Sequence, residues 1–490
     1  MKKYKFIRNI GFCLCALVAF SACEKVLNEE PFSQLSDEKF WQTDADAEAG
    51  VLAIYDAMQK TYTNKYFQWG ELRSDNFDPT ATSTAGSLEL LRNNLQASNS
   101  GVLRWNNFYL MIARANLAIS KIPKIPGYNK NLLAEALLLR AYAYFDGIRV
   151  WGGLPLFTEA VQGLNQELRK PKTDGTKILN EVIVPGMLEA EKLMSKNTDP
   201  FRISRASIWA FQAQVYMYQK DYAKAKVALD KIVNLKTYTL TTTRDAWAKM
   251  FLNDLALGGK FMTGTELMFS IRYELTEDAD RSGVYAVHFA GVPNYYLSRR
   301  LETKWTARFP VDSNLWKAKY PSFAPKTVDV AGRPVYGDWR FIESKEQGRA
   351  LGLSRLAKYS KANYNSNFDN SNIHVFRYAD IILMLAEAEN QLNNTTAALA
   401  LLNQIRDARQ LPRAVAADFT DKASLEELIL DERQMELIGE GKRWWDLIRT
   451  GKAVQVMNPI NGQTDQRLLF PIFQDHLIDN PLLTQTPGYN

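Results

Sequence analysis

The chain has 490 residues, with 60 Lys and Arg against 54 Asp and Glu, and aromatic residues make up 12% of it. Four of the basic residues and none of the acidic ones lie in the first 22 positions, so the remaining chain is close to neutral and lacks the basic excess that nucleic-acid binding requires. No long apolar run follows residue 22, which excludes a membrane-spanning body.

The N-terminus has the pattern of a secretory signal peptide. A basic tip precedes the apolar run "IGFCLCALVAF", which ends at the small pair Ser21-Ala22. The run is shorter than the roughly 20 apolar residues that a spanning helix needs. A buried N-terminal helix is the alternative, but it leaves the charge asymmetry and the small-residue exit unexplained. We therefore predict a signal peptide over residues 1–22.

Cys23 would be the single cysteine of the mature chain, because Cys13 and Cys15 lie inside the apolar run. One cysteine can form neither a disulfide within the chain nor a cysteine metal site. The small-small-Cys ending resembles a bacterial lipobox, and acyl chains on Cys23 would hold the protein at a membrane with about 0.8 kcal/mol per buried methylene. We predict that Cys23 is a lipid anchor and that "EKVLNEEPFSQ" is a polar tether.

Helical periodicity dominates much of the remaining chain. Apolar residues recur at three- and four-residue spacing from Leu133 to Ile148, and "WGGLP" ends that helix, since two glycines and a proline cannot continue it. The same spacing predicts a helix in "FRYADIILMLAEAEN". It predicts another in "SLEELILDERQMELIGEGKRWWDLIRTG", closing at Gly451, with charged residues along one face and Trp444 and Trp445 in the core.

Two segments fit the 34-residue tetratricopeptide pattern, in which bulky, small and aromatic positions recur at fixed offsets in a helix pair. The alternative is two unrelated amphipathic hairpins. The matching positions are Trp209, Ala213, Tyr216, Ala225 and Leu229 in the first segment, and Ile382, Leu385, Ala386, Ala398, Leu402 and Ile405 in the second.

The periodicity and composition of the sequence change between residues 236 and 372, where helical runs shorten and Gly, Pro, Thr and aromatic residues accumulate. "ELMFSIRYEL" alternates as a strand does. We predict a mainly α fold in one domain over 23–490, with tetratricopeptide-like helix pairs forming a scaffold over roughly 40–235 and 373–452. A loop-rich insertion with a few short strands would cover 236–372, and an irregular C-terminal tail 453–490.

Recognisable catalytic signatures are missing from the sequence. The three histidines are not at ligand spacing, and the HExxH, paired CxxC, GxGxxG, Walker and GxSxG motifs do not occur. We expect no catalytic residues, no metal site and no cofactor. A surface glycosidase is the enzymatic alternative and would need two essential carboxylates, whose separation the sequence does not give.

Several stretches stand out over nearly the whole mature chain: "FWQTDADAEAGVLAIYDAM" (Phe40–Met58), "ELRSDN" (Glu71–Asn76), "LLRAYAYFDGIRVWGGLPLF" (Leu138–Phe157), "FRYADIILMLAEAEN" (Phe376–Asn390), "LILDERQMELIGEGKRWWDLIRTGK" (Leu428–Lys452) and the ending "LLFPIFQDHLIDNPLLTQTPGYN". Together, and in this order, they resemble the SusD/RagB family of outer-membrane lipoproteins.

The resemblance implies a surface-exposed, lipid-anchored receptor of the outer membrane. Such a receptor captures a nutrient, usually a glycan, and delivers it to a SusC-like TonB-dependent transporter without catalysis. Some relatives handle peptides, so a peptide- or protein-binding receptor on the same scaffold is the alternative, with a groove lined by Asn, Lys and Arg on the inner helices. We expect the helical body to dock on the transporter over more than about 1,000 Å².

A glycan receptor needs aromatic rings to stack on sugar C–H faces and polar side chains to bind the hydroxyl groups. The segment "YFQWGELRSDNFD" offers Trp69, Arg73, Asp75 and Asn76 as candidate ligand-binding residues. For these four residues the alternative is a structural turn pinned by side-chain hydrogen bonds.

The segment "FAGVPNYYLSRRLETKW" within the insertion offers a second set of candidates. Tyr295, Tyr296 and Trp305 supply rings, and Arg300 supplies a charged donor. For Tyr295 and Trp305 the alternative is that they pack the insertion onto the scaffold.

Overall fold

A computed structural model describes residues 40–161, 166–252, 266–273, 282–283, 288–289, 291–329, 331–360, 364–365, 368–369 and 371–489. The α-helices, numbered in chain order, are α1 Asp44–Gly70, α2 Ala85–Leu91, α3 Ser100–Leu103, α4 Asn106–Lys121, α5 Lys130–Trp151, α6 Gly175–Ile178, α7 Val184–Leu193, α8 Arg205–Tyr218, α9 Tyr222–Asn234, α10 Arg244–Lys249, α11 Arg299–Arg308, α12 Ser313–Lys319, α13 Trp339–Ser344, α14 Tyr378–Gln391, α15 Thr395–Ala408, α16 Lys422–Glu436, α17 Arg443–Arg449, α18 Ala453–Asn461 and α19 Gln474–Asp479.

The strands of the described residues form short antiparallel pairs. They are β1 Phe77–Pro79, β2 Gly153–Pro155, β3 Lys172–Asp174, β4 Leu267–Ile271, β5 Tyr295–Leu297, β6 Tyr364–Asn365, β7 Phe368–Asp369 and β8 Ile373–Arg377. The pairs are β1 with β5, β2 with β3, β4 with β8 and β6 with β7. The predicted strand in "ELMFSIRYEL" is thus confirmed as β4, and its partner β8 leads directly into α14. The fold is mainly α, as predicted.

The long helices begin and end where the sequence supplies caps. Thr43 and Ser204 form capping boxes at the starts of α1 and α8, which satisfy backbone N–H groups that no helical carbonyl can reach. Gly152 ends α5 with φ of 75°, a conformation that residues with a Cβ rarely adopt. The predicted end of this helix at "WGGLP" is confirmed.

The two tetratricopeptide-like segments are helix pairs, α8 with α9 and α14 with α15, and α9 packs against α14. Ala213 and Ala225 in the first pair and Ala386 and Ala398 in the second are fully buried, which allows close helix approach. The chain leaves the scaffold after α9 and returns at β8. The insertion therefore lies between two pairs that are neighbours in space.

The predicted single helix ending at Gly451 is wrong. The chain forms α16 and α17, separated by a loop in which Gly439 and Gly441 have φ of 74° and 67°. A Cβ on Gly441 would lie 2.7 Å from the ring of Tyr66, and one on Gly70 would lie 2.0 Å from the Gly441 carbonyl oxygen. Glycine at these positions lets the loop press against the end of α1.

The insertion and the C-terminal segment carry more helix than the sequence indicates. The insertion contains α10 to α13, and α13 packs against α16 of the scaffold. The segment from 453 onward, predicted to be irregular, begins with α18 and contains α19. The predicted signal peptide, Cys23 and the tether lie outside the described residues. Within the part of the chain that is described, no helix is long and apolar enough to cross a membrane.

Candidate functional site

The two segments predicted to bind ligand meet in space. β1 follows the "ELRSDN" turn, and it pairs with β5 of the insertion in the register Phe77 with Leu297 and Asp78 with Tyr296. The contact continues beyond the strands, because the Ser298 backbone N–H donates to the Asn76 carbonyl at 2.8 Å. The candidate residues thus belong to one region.

Trp69, at the end of α1, lies in the core. Its side chain is 2% exposed, and its indole Nε1 donates to the Val102 carbonyl at 3.0 Å. The ring contacts Trp151 edge-on, with centroids 5.4 Å apart. A ring that stacks on a sugar must expose a face. The burial of Trp69 favours the structural role that the sequence left open.

Arg73 also lies in the interior, between the rings of Trp444 and Phe470, whose centroids are 4.7 and 4.8 Å from its guanidinium carbon. It donates to Asn93 Oδ1 at 2.6 Å and to the Leu468 carbonyl at 3.1 Å. Burial lowers the pKa of Arg73 to about 10, so the side chain stays charged at neutral pH. Arg73 therefore joins the end of α1 to the C-terminal segment, away from any ligand face.

Asp75 and Asn76 are buried members of a turn that side chains hold in place. Arg443 donates to the two carboxylate oxygens of Asp75 at 2.8 and 3.1 Å. Burial alone would raise the pKa of Asp75, but the guanidinium of Arg443 lowers it to about 2. Gln434 Nε2 donates to Asn76 Oδ1 at 2.7 Å. These contacts correspond to the pinned turn that was the alternative to ligand binding.

Glu71, the first residue of the same turn, is fully buried and accepts three hydrogen bonds. They come from Asn76 Nδ2 at 2.6 Å, the Gly439 N–H at 3.0 Å and the Lys442 N–H at 3.1 Å. Burial raises the pKa of Glu71 to about 7, although the three donors act in the opposite direction. Glu71 fixes the turn to the loop between α16 and α17.

Tyr295 and Trp305 pack the insertion onto the rest of the protein. Tyr295 is 3% exposed and its hydroxyl lies 3.1 Å from His288 Nδ1. Trp305, on α11, is 1% exposed and donates from Nε1 to Asp338 Oδ2 at 2.9 Å. Both rings occupy interior positions, which favours the packing role over sugar stacking.

Tyr296 keeps part of its ring accessible, and a polar cluster surrounds it. It lies opposite Asp78 in the β1–β5 register, so both side chains project to the same face, while Tyr295 projects to the core. Asp78 forms an ion pair with Arg300, and their side chains are 28% and 48% exposed. We call Asp78, Asn294, Tyr296 and Arg300 the strand-pair surface.

Hydroxyl groups of the loop after β1 fix the edge of the strand-pair surface. Thr80 and Thr82 donate from Oγ1 to the Pro293 carbonyl at 2.7 and 2.8 Å. The Thr84 N–H donates to Asn294 Oδ1 at 3.0 Å. The surface therefore combines a partly exposed ring with a carboxylate, a guanidinium and an amide on a short, well-bonded frame.

The sequence interpretation missed Asp78 and Asn294 as members of this surface. The strand β1 has only three residues, so alternation within it was too short to recognise. A usable signal was the pair of adjacent tyrosines 295 and 296, because neighbours on a strand point to opposite faces. One of them had to be core and the other outward.

A second set of charged residues, which we call the arginine network, is completely buried and links the insertion to the scaffold. Its side chains are 0–1% exposed. Arg377 Nη1 contacts Glu436 Oε1 at 2.7 Å, and Arg340 Nη1 contacts Glu436 Oε2 at 2.6 Å. Its members are Glu266, Arg340, Arg377, Arg409, Glu432, Glu436 and Glu440.

The arginine network places Glu432, Glu436 and Glu440 of "DERQMELIGEGKRWWDL" inside the protein. Burial alone would raise the pKa of Glu436, but three surrounding arginines hold it well below its usual range. Trp444 is buried, as expected, whereas Trp445 is half-buried. Because every charge of the network contacts an opposite charge inside the protein, we assign it to stability.

Comparison with known proteins gives matches along the whole chain. Residues 332–489 match the model of the SusD family, and residues 27–250 match a family described as starch-binding and associating with the outer membrane. A SusD-like protein of Formosa agariphila is 44% identical over 504 aligned residues, which cover 100% of both chains.

Solved structures share the fold at lower identity. NanU of B. fragilis superposes with a TM-score of 0.71 at 22% identity, over 94% of this chain and 100% of that one. A structure described as a laminarin binding SusD-like protein gives a TM-score of 0.67 at 21% identity, over 91% of this chain and 100% of that one.

Proposed function

Because this chain belongs to the SusD/RagB family, we propose that it is a glycan-binding lipoprotein of the outer membrane that has no catalytic role. The oligosaccharide or polysaccharide would bind at the strand-pair surface. The protein would then deliver it to a SusC-like TonB-dependent transporter. One of the similar structures is described as laminarin binding, which supports a glycan as the ligand class.

The observation that carries the proposal is the chemistry of the strand-pair surface. A sugar presents an apolar C–H face and a rim of hydroxyl groups, which need a ring beside charged or amide groups. Tyr296 supplies the ring, and Asp78 and Arg300 lie on the same face of the strand pair.

The other candidate residues act behind this surface in our proposal. Trp69, Arg73, Asp75 and Asn76 hold the turn that begins β1, and Tyr295 and Trp305 hold the insertion that carries β5. Their substitution would lower the stability of the fold, and a variant that remains folded would keep the shape of the surface. Direct contact with the ligand is proposed for Tyr296.

Anchoring and delivery complete the proposal. Lipid on Cys23 would hold the mature chain at the outer membrane, with the folded body at the cell surface. Docking on a transporter would bury more than about 1,000 Å², an area that the outer faces of the helical scaffold can supply.

A peptide-binding receptor is the competing function, and one cleft on the inner helices bears on it. The cleft has a volume of about 40 Å³ and is lined by Arg149, Gln214 and Arg449, among others. Arg149 is paired with Asp146, and Arg449 donates to Glu387 at 2.8 Å. The small volume and the internal pairing of these arginines disfavour a peptide ligand here.

Isothermal titration calorimetry tests the proposal. The mature chain with Cys23→Ser, which prevents acylation, would be titrated with laminarin, starch and xylan oligosaccharides and with a set of peptides. We expect saccharide binding that Tyr296→Ala weakens about tenfold or more, which corresponds to about 1.4 kcal/mol. Tyr216→Ala, at a half-buried tyrosine of α8, is the matched control and should bind as the parent does.

Each other result has a definite meaning. Binding of peptides alone would replace the glycan proposal with the competing function. Saccharide binding that is equal in the parent and in Tyr296→Ala would move the ligand away from the strand-pair surface. Release of shortened saccharides during the titration would indicate a glycosidase.

A further inference from the structure

A groove outside the strand-pair surface has the composition of a carbohydrate site. It lies between the start of α4, the segment after β2 and the helix α19, and its volume is about 290 Å³. Ligand pockets typically measure about 300–1,000 Å³, so this groove has the size for a small ligand. Its walls include Trp105, Tyr109, Phe157, His476 and Leu483.

The aromatic walls of the groove are held in place before any ligand binds. The rings of Trp105 and His476 are stacked, with centroids 4.4 Å apart and planes 12° apart. The Trp105 N–H donates to His476 Nε2 at 3.2 Å, and the Tyr109 hydroxyl donates to the Pro155 carbonyl at 2.8 Å. Tyr109 and Phe157 meet edge to face, with centroids 5.8 Å apart, and both remain half-exposed.

The floor of the groove is uncharged at physiological pH. Burial lowers the pKa of His476 to about 4, so the imidazole is neutral above pH 5. A neutral aromatic floor suits the C–H face of a sugar ring.

The rim of the groove carries both polar and apolar side chains. Asn106 and Asp479 are exposed, and Asn480 is fixed because its Nδ2 donates to the Lys170 carbonyl at 2.9 Å. Leu168 also lines the groove and is 50% exposed. Among the described lining residues Asp479 is anionic and none is cationic. Lys170 places its Nζ 4.6 Å from the centroid of the Phe157 ring, so one face of that ring is already covered. The anionic rim favours a neutral sugar over an acidic one.

We propose that this groove is a second carbohydrate site, which takes one or two neutral sugar rings. The inference rests on the proposed glycan function and adds a site to it. Tyr109 and Phe157 contact the C–H face of the ring, and Asp479 and Asn106 bind its hydroxyl groups. A glycan chain can therefore be held at two places on one protein, which raises its apparent affinity over either site alone.

Saturation-transfer NMR on the mature Cys23→Ser chain tests the site with methyl β-D-glucopyranoside as the neutral probe and glucuronate as its charged counterpart. We expect part of the neutral-probe signal to persist in Tyr296→Ala, and to fall about fivefold when Asp479→Ala is added in that background, since this change removes an exposed acceptor without touching the core. Phe157→Ala should lower it as well, with folding checked by circular dichroism. Glucuronate should give the weaker signal in the parent.

Two results would overturn the proposal while leaving the proposed function intact. One is a neutral-probe signal that Tyr296→Ala abolishes and that Asp479→Ala and Phe157→Ala leave unchanged. The other is a glucuronate signal as strong as that of the neutral glucoside. Failure of the parent to bind any saccharide, in this assay and in calorimetry, would overturn both proposals together.

Discussion

The arginine network and the strand-pair surface are built from the same side chains in opposite environments. In the network, Arg340, Arg377 and Arg409 are 0–1% exposed, whereas Arg300 of the surface is 48% exposed. Each network arginine contacts two or more carboxylates, while Arg300 contacts Asp78. Residue type therefore does not separate structural charges from those that we propose to bind ligand. Burial and the completeness of pairing do.

Removing an arginine should lower the free energy of unfolding much more in the arginine network than at the strand-pair surface. Arg377→Met leaves Glu436 and Glu440 buried without one of their cations, and loss of one partner of a buried pair costs about 3–5 kcal/mol. Arg300→Met removes an exposed pair, which contributes about 0–1 kcal/mol. Urea denaturation of both variants measures the free energy of unfolding. Equal losses in the two variants would contradict the distinction.

A smaller effect on stability is expected for Trp69→Phe. The change removes the indole donor to the Val102 carbonyl and leaves a gap in the core, which we expect to cost about 1–3 kcal/mol. The saccharide dissociation constant, measured by calorimetry below the unfolding temperature, should stay that of the parent because the ring is buried. A specific loss of affinity in a variant that remains fully folded would return Trp69 to the ligand site.

Lowering the pH should weaken the ion pairs of the arginine network. Glu440 provides a way to measure this effect. Burial alone would raise the pKa of Glu440, but Arg377 and Lys358 lower it to about 2 from its ordinary 4.5. A carboxylate with a lowered pKa stabilises the fold above its unfolded pKa and loses this contribution as the pH falls. The difference in free energy of unfolding between the parent and Glu440→Gln should shrink by about 1 kcal/mol from pH 7 to pH 4.

The control for this pH dependence is the same pair of proteins in the Arg377→Met background. Arg377 contacts Glu440 at 2.7 Å and contributes more than Lys358 to lowering its pKa, so the change with pH should be smaller there. A difference that grows on acidification would contradict the assigned sign.

Asp78→Asn should have the smallest effect on stability of these substitutions, but it should lower the saccharide affinity. Because the Asp78–Arg300 pair is exposed, the free energy of unfolding should change by less than about 1 kcal/mol. Saccharide affinity should fall about fivefold or more, since the charged acceptor beside Tyr296 becomes a neutral amide. Calorimetry of Asp431→Asn provides the matched control, because it alters a partly buried pair between Asp431 of α16 and Lys304 of α11.

Helices could be predicted from the sequence where residues within the helix itself determine it. The spacing of their own apolar residues predicts α5 and α14, and Gly152 predicts the end of α5. The break between α16 and α17 was not predictable in this way. Its cause is contact of Gly441 with Tyr66 and Gly70, which lie far away along the chain.

Prediction of the candidate site was limited in the same way, by contacts between residues far apart in the sequence. Two segments were selected for their mixture of aromatic and polar residues, but the selection could not separate buried from exposed members. Trp305 finds its partner in Asp338, and Asp75 finds its partner in Arg443, and neither partner lies in the selected segments. Tyr296 differs from Tyr295 only by the strand face on which it lies.

The contacts of Glu71 also set an order for folding. Its donors Gly439 and Lys442 follow it by 368 and 371 positions, so the turn after α1 is completed by a distant part of the chain. Contacts of such sequence separation form late, because loop closure costs entropy before the contact is gained. Until residues 439–442 have been synthesised, Glu71 lacks two of its three donors, and the turn that leads into β1 is not yet fixed.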